Sequence, residues 1–149
     1  MPCAEGADVK ELMVVALLVF TACSGSPGDQ SASLCAALAS LGGNNEDFKT
    51  LTTASRPEDA LAARDRMSAR ARSAIAALEA IPDGPVGTQA SRLAAVEQGL
   101  LPFLDRFGTV TDNAGFNAAV DEYTRWYDES LTVISDVTAE LNDLGVRCG

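Results

Sequence analysis

The longest apolar stripe in the sequence lies between residues 113 and 144, and it strongly constrains the class of fold. Its members are spaced by three or four residues throughout, which places them on one face of a helix. They are Phe116, Val120, Tyr123, Tyr127, Leu131, Ile134, Val137, Leu141 and Leu144. At about 1.5 Å per residue, such a helix is roughly 46 Å long. We expect it to begin at Asn113 and to end at Gly145, with Val146 folding back onto its last turn.

A first helix is predicted to follow the residues around 23–30. It begins at Ser31 or Ser33 and runs to Leu41, because leucines there recur at helical spacing. The pair Gly42–Gly43 is expected to end it. Residues 44–47 are then expected to open a short helical turn.

A second helix has the clearest start signal in the sequence. Ser55 is followed by Pro57 and by Glu58 three residues after it, a pattern typical of a capping box. Its apolar stripe continues to about Ile81. The sequence Pro-Asp-Gly-Pro at 82–85 then breaks the chain.

A third helix is predicted from Thr88 to Gly108, with Leu93, Leu100 and Leu104 in its stripe. We find neither an alternating apolar–polar strand pattern nor a solenoid repeat. The sequence therefore predicts an all-α fold, an up-down bundle of about four helices.

Charge and composition exclude several classes of function. Asp and Glu total 21 against 11 Lys and Arg, giving a formal net charge of −10. Nucleic-acid binding calls for basic patches, so a nucleic-acid partner is not expected. The chain contains no histidine, which removes the usual general base and the commonest zinc ligand. We therefore predict neither an enzyme nor a metal or cofactor site.

An unbroken apolar run from Leu12 to Phe20 precedes small residues and Cys23. A helix needs about 20 apolar residues to cross a bilayer, so this run is too short to do so. Its length is typical of the apolar core of a secretory signal. The pattern resembles a bacterial lipoprotein signal. That resemblance implies a signal peptide over residues 1–22, removed before Cys23, and an acyl anchor such as palmitate on Cys23. Residues 23–30 would form a flexible tether and residues 31–149 the helical bundle domain.

The resemblance also implies a cellular location. An exported lipoprotein with Ser24 after its cysteine is expected on the outer membrane if the organism has one. In a bacterium with a single membrane it would sit on the outward face of that membrane. The alternative is that Leu12–Phe20 forms the buried first helix of a cytosolic protein.

The signal-peptide assignment leaves two cysteines in the helical bundle domain. Of the four cysteines, Cys3 leaves with the signal and Cys23 carries lipid, so Cys35 and Cys148 remain. Disulfides persist in exported proteins, and two remaining cysteines favour a pair. This bond would clamp the first helix against the C-terminal end of the last. The alternatives are two free thiols or, less favoured, a redox or metal role.

Two groups of side chains are candidates for partner binding. Arg64, Arg66, Arg70 and Arg72 cluster on the second helix and are suited to an anionic lipid headgroup or polymer. They are also suited to pairing with acidic residues of the last helix. Trp126 lies off the main stripe of that helix. It is expected either to pack against the first helix or to face outward as a binding anchor.

These features predict a membrane-anchored, exported binding or interaction module of the cell envelope, with an envelope protein or a lipid as partner. The alternative is a carrier that holds a lipid or another apolar ligand inside the bundle. An apolar pocket beside Met67 and Phe107 would favour the carrier. A solid core with an exposed Trp126 would favour the interaction module.

Overall fold

The computed structural model describes residues 27–148, and this part of the chain is a bundle of α-helices without a strand. The four helices are α1 Pro27–Thr53, α2 Pro57–Glu79, α3 Pro85–Phe107 and α4 Asn113–Asp143. The all-α prediction is confirmed. The predicted signal peptide (residues 1–22) and Cys23 lie outside the described residues.

Helix α1 is longer than predicted at both ends. It begins at Pro27, so residues 27–30 of the predicted tether are helical. It also continues through Gly42–Gly43, where we expected it to end, and absorbs the predicted turn at 44–47. Arg70 of α2 packs over this point, and its Nη2 donates to the Gly43 carbonyl at 3.3 Å. Packing against α2 thus outweighs the cost of about 1 kcal/mol that glycine adds to a helix.

The predicted capping box of α2 is absent. The residue at the N-cap is Arg56, whose side chain makes no capping hydrogen bond, and Pro57 is the first helical residue. Proline suits this position because its missing N–H would be unpaired there in any case. Glu58 pairs with Arg56 instead of reaching back to Ser55.

Helix α3 starts earlier than predicted, at Pro85 instead of Thr88. The chain turns at Gly84, whose φ of 147° is open to glycine but rarely to other residues. Gly87 is also required, because a Cβ there would collide with the carbonyl of Pro82. The loop between α2 and α3 is therefore tight.

Helix α4 begins and ends close to its predicted limits. Its N-cap is Asp112, one residue before the predicted Asn113, and the Asp112 carboxylate accepts a hydrogen bond from Gly115 N at 2.7 Å. At the other end, Gly145 has a φ of 80°. The N–H of Val146 donates to the Leu141 carbonyl at 2.8 Å, which is the predicted fold-back after a terminal glycine.

This fold-back directs the chain toward α1, where Cys148 is bonded to Cys35. The predicted pair is present and joins the first third of α1 to the segment after α4. The bond closes a loop over a sequence separation of 113 residues. The clamp between first and last helix is therefore confirmed.

Two clusters of buried side chains form the core. The aliphatic cluster lies at the disulfide end and is built on Leu34, Leu78, Leu93, Val137 and Leu141, with several alanines between them. The aromatic cluster lies toward the opposite end and contains Met67, Leu100, Phe103, Leu104 and Tyr123. The ring of Phe48 stacks on that of Tyr123 with centroids 3.6 Å apart.

Candidate functional site

An apolar groove opens at the end of the bundle opposite the disulfide. It is bounded by the last turn of α1, the first turns of α2, the end of α3 and the start of α4, and has a volume of about 340 Å³. We call it the end groove. Its lining residues are Leu51, Pro57, Ala60, Leu61, Arg64, Phe107, Gly108, Val110 and Phe116.

The walls of the end groove are apolar and partly uncovered. The side chain of Leu61 is 46% exposed, one of few large apolar side chains in the described chain that reach such exposure. Phe107 and Phe116 meet edge to face with ring centroids 5.3 Å apart. Exposed apolar patches rimmed by polar residues mark interaction or ligand sites in many proteins.

Arg64 is the charged residue among those that line the end groove. Its Nε and Nη2 donate to the carboxylate of the adjacent Asp65 at 3.0 and 2.6 Å. Its Nη1 lies against Gly108, where a Cβ would collide with it. The Arg64 side chain is 27% exposed. The guanidinium is thus held beside the end of α3, whose terminal carbonyls favour a cation.

The other predicted arginines are not a free cationic patch. Arg66 and Arg70 both bind Asp47 of α1, with Arg66 Nη2 2.7 Å from Asp47 Oδ1. Arg72 is exposed. The predicted pairing with acids of α4 is wrong for Arg66 and Arg70, because α2 presents them to α1.

Asp47 is nearly buried, with 12% of its side chain exposed. Burial opposes its ionisation, but the hydrogen bonds from Arg70 and Arg66 outweigh that effect. They hold the pKa of the Asp47 carboxyl below its usual value. The carboxylate is therefore a fixed anchor that ties α2 to α1.

A layer of polar side chains crosses the bundle between the two core clusters. We call it the polar belt, and it consists of Ser40, Asn44, Asp47, Arg70 and Glu97. Arg70 joins its members, since its Nε donates to Asn44 Oδ1 at 3.3 Å and its Nη2 to Asp47. Three of the four helices contribute to it.

Glu97 is the most unusual member of the polar belt. Its side chain is fully buried, and neither carboxyl oxygen makes a hydrogen bond of ordinary geometry to the described residues. Burial raises the pKa of Glu97 to about 7, although the nearby Ser40 hydroxyl and Arg70 charge act in the opposite direction. The carboxyl therefore holds its proton to a much higher pH than an exposed glutamate does.

Trp126 is neither outward-facing nor packed on α1 alone. It is partly buried and contacts both core clusters. Its Nε1 donates to the Val96 carbonyl of α3 at 3.3 Å. A Cβ on Gly99 would lie 3.0 Å from that same nitrogen, so the indole sits directly on the backbone of α3. This hydrogen bond gives Trp126 a structural role.

A second apolar surface lies along the seam between α1 and α4. This seam groove has a volume of about 210 Å³, and Leu38, Trp126, Leu131 and Ile134 are among the residues that line it. Leu131 is 46% exposed, like Leu61 in the end groove. No charged side chain lines this seam among the described residues.

The described residues hold no group of three or more candidate metal ligands. Among the same residues, no helix is both long and apolar enough to cross a membrane. The predicted lipid site, Cys23, is outside this part of the chain.

The end groove and Glu97 were missed from the sequence, but Glu97 left a signal. It lies four residues after Leu93 and three before Leu100, directly on the apolar stripe of α3. A carboxylate at such a position indicates a buried acid. The end groove left no comparable signal, since its walls come from four separate segments.

No family model, curated protein or solved structure matches the chain. A function for this protein is therefore inferred from its own residues.

Proposed function

We propose that this protein is an exported lipoprotein that holds a small helical binding module on a membrane through lipid on Cys23. Two features support export. One is the signal-like pattern from Leu12 to Cys23. The other is the bond between Cys35 and Cys148, because disulfides persist in exported proteins. The membrane is the outer one if the organism has two.

The end groove is the binding surface of this module, and its position is the observation that carries the proposal. Cys23 precedes α1 by a few residues, while Leu51 of the groove lies at the far end of that helix. At about 1.5 Å per residue, α1 separates Pro27 from Leu51 by about 36 Å. A module anchored at Cys23 therefore holds the groove away from the bilayer, where a partner can reach it.

We also propose the up-down order of helices. The end groove brings together the end of α1, the start of α2, the end of α3 and the start of α4. An up-down bundle places this set of helix ends on one side.

The alternative of a carrier with its ligand in the bundle interior has less support. Met67, which we expected beside such a pocket, is fully buried, as are Leu100 and Leu104 around it. The opening beside Phe107 is the end groove, at the surface of the bundle. Ligand binding would therefore take place there and not within the core.

Anchoring is tested by metabolic labelling with a palmitate analogue, followed by membrane fractionation. The Cys23→Ser variant is expected to lose the label and to leave the membrane fraction. Cys3→Ser serves as the matched control and should behave as the parent protein. A Cys23→Ser protein that is still labelled and membrane-bound contradicts the proposal.

Groove binding is tested by chemical crosslinking in intact cells. Leu61→Asp in the end groove is expected to abolish crosslinked species that the parent protein forms. Leu131→Asp is the control, because Leu131 has the same exposure of 46% but lies in the seam groove. If Leu131→Asp abolishes the crosslinked species and Leu61→Asp does not, the binding surface is the seam groove and not the end groove.

A further inference from the structure

The end groove combines two features that together define a class of ligand. Among the described residues that line it, Arg64 is the only charged side chain. The other walls are apolar, including Leu51, Leu61, Phe107 and Phe116. The volume of about 340 Å³ lies at the lower end of the range of small-molecule sites. Such a site suits a small apolar body with one anionic group.

The guanidinium of Arg64 is positioned before any ligand arrives. It lies against Gly108 at the end of α3, where a Cβ would displace Nη1. Its ionic partner is the adjacent Asp65, whose side chain is 65% exposed. Exposed pairs of this kind are weak. An anionic ligand can therefore compete for a cation that is already in place.

The remaining arginines of α2 do not offer this combination. Arg66 and Arg70 are held by Asp47 in the polar belt. Arg72 is exposed and does not line the end groove. Of the α2 arginines in the described chain, Arg64 alone lines the end groove, whereas Arg70 lines a separate groove and is held by Asp47. A guanidinium can hold a carboxylate through two parallel hydrogen bonds.

We propose that the end groove binds a single-chain carboxylate such as a fatty acid, with the alkyl chain between Leu61, Phe107 and Phe116 and the carboxylate on Arg64. This inference rests on the proposed function, because it names the ligand of the same groove. Binding covers apolar surface that is now exposed at Leu61. The carboxylate replaces or joins that of Asp65 at the guanidinium.

The test is a calorimetric titration of the full chain with dodecanoate below its micelle concentration. Saturable binding of one dodecanoate per chain is expected. Dodecanol, with the same chain and a neutral head, should bind about 10- to 100-fold more weakly, since a hydrogen-bonded charge pair is worth that factor. Equal affinity for both compounds, or no saturable binding of dodecanoate, would overturn the proposal.

Variants of the protein separate the contribution of the carboxylate head to binding from that of the alkyl chain. Arg64→Gln should weaken dodecanoate binding by the same 10- to 100-fold and leave dodecanol unchanged. Arg72→Gln is the matched control and should change neither. Leu61→Asp should abolish binding of both compounds, whereas Leu131→Asp should not. If Arg64→Gln behaves as Arg72→Gln does, the carboxylate is not held by Arg64 and the inference is wrong.

Failure here is distinguishable from failure of the proposed function. If dodecanoate does not bind but Leu61→Asp still abolishes crosslinking in cells, the groove takes a protein segment and only the ligand class is wrong. If Cys23→Ser stays on the membrane, the anchoring is wrong whatever the groove binds. If dodecyl phosphate binds more tightly than dodecanoate, the ligand class is a phosphate and not a carboxylate, which also overturns the inference.

Discussion

The disulfide end of the bundle is packed with alanine and branched aliphatic side chains, whereas the opposite end is packed with aromatic rings around an open groove. Leu34, Val137 and Leu141 are buried at the first end beside the Cys35–Cys148 bond. At the second end, Phe107 and Leu61 border the end groove and Leu61 is 46% exposed. The aliphatic cluster contains four buried alanines, against two in the aromatic cluster.

The bundle is thus fixed covalently at one end and accessible at the other. The polar belt separates the two ends, because Arg70 links Asn44 and Asp47 across the α1–α2 contact. Each end is then stabilised by its own means, by a covalent bond on one side and by aromatic packing on the other.

The largest expected effect is the removal of the disulfide. The double variant Cys35→Ser, Cys148→Ser should lose about 4–5 kcal/mol of unfolding free energy, because the bond closes a long loop. Hydrogen exchange should quicken at the start of α1 and the end of α4. The end groove should retain its ligand binding. A comparable rise in exchange around Phe107 and Phe116 would show that the two ends are not independent.

The next effect is a pH dependence carried by Glu97 in the polar belt. Its pKa is about 7 in the folded protein against 4.5 as a free side chain. The folded state therefore binds more protons than the unfolded state between these values, and stability falls as pH rises through that window. The loss attributable to Glu97 is roughly 3 kcal/mol between pH 4 and pH 8.

Urea unfolding of the parent protein and of Glu97→Gln at pH 4, 6 and 8 measures this effect. The difference in stability between the two proteins should shift in favour of Glu97→Gln as pH rises and become level above pH 8. Comparing the two proteins cancels the contribution of other carboxylates. Parallel pH profiles would mean that Glu97 does not titrate in this window.

A smaller effect is expected for Asp47→Asn, which removes the anchor of Arg66 and Arg70. The expected loss at pH 7 is about 1–3 kcal/mol, because charge-assisted hydrogen bonds are broken. Since the pKa of Asp47 is lowered from 3.8, its stabilisation is present above pH 4 and is lost as pH falls through the folded value. The difference from the parent should therefore shrink in acid.

Urea unfolding at pH 7 and at pH 2.5 provides the measurement for Asp47→Asn. Asp65→Asn is the matched control, because Asp65 is 65% exposed in its pair with Arg64. It should cost at most about 0.5 kcal/mol. If Asp47→Asn and Asp65→Asn lower the unfolding free energy equally, the polar belt does not stabilise the fold.

The smallest effect is expected at Gly99, beneath the only tryptophan in the sequence. In Gly99→Ala the new Cβ would lie 3.0 Å from Trp126 Nε1, so the indole must shift by a few tenths of an ångström. We expect a shift in Trp126 fluorescence and a stability change within about 1 kcal/mol. An unchanged spectrum would show that the indole does not rest on the α3 backbone at Gly99.

Gly42→Ala is the control for Gly99→Ala. A Cβ on Gly42 has no neighbour within 4 Å, and Gly42 lies inside α1. The substitution should raise stability by about 0.5–1 kcal/mol through helix propensity alone. Its fluorescence should match that of the parent protein.

The four helices could be predicted because their signals are local and repeated. The three-and-four spacing from Phe116 to Leu141 specifies α4, and Gly145 marks its end. The failure at Gly42–Gly43 has a tertiary cause, since Arg70 packs on Gly43 from α2. The sequence of α1 alone contains no sign of that contact.

The polar belt and the end groove were beyond prediction for a related reason. Asp47 receives Arg66 and Arg70 across a contact between two helices, and nothing in the sequence specifies which acids those arginines meet. The groove depends on how four helix ends diverge. The disulfide could be predicted because it required only a count of cysteines and a compartment.

The bond between Cys35 and Cys148 also determines the covalent topology of the domain. It closes a ring that contains most of α1 and the whole of α2, α3 and α4. A protease that cuts once inside this ring, for example in the loop at 108–112, leaves two fragments joined as one molecule. Such a cut is invisible on a non-reducing gel and appears only when the bond is reduced. The loop beside the end groove can thus be cut without the two fragments of the domain being released from each other.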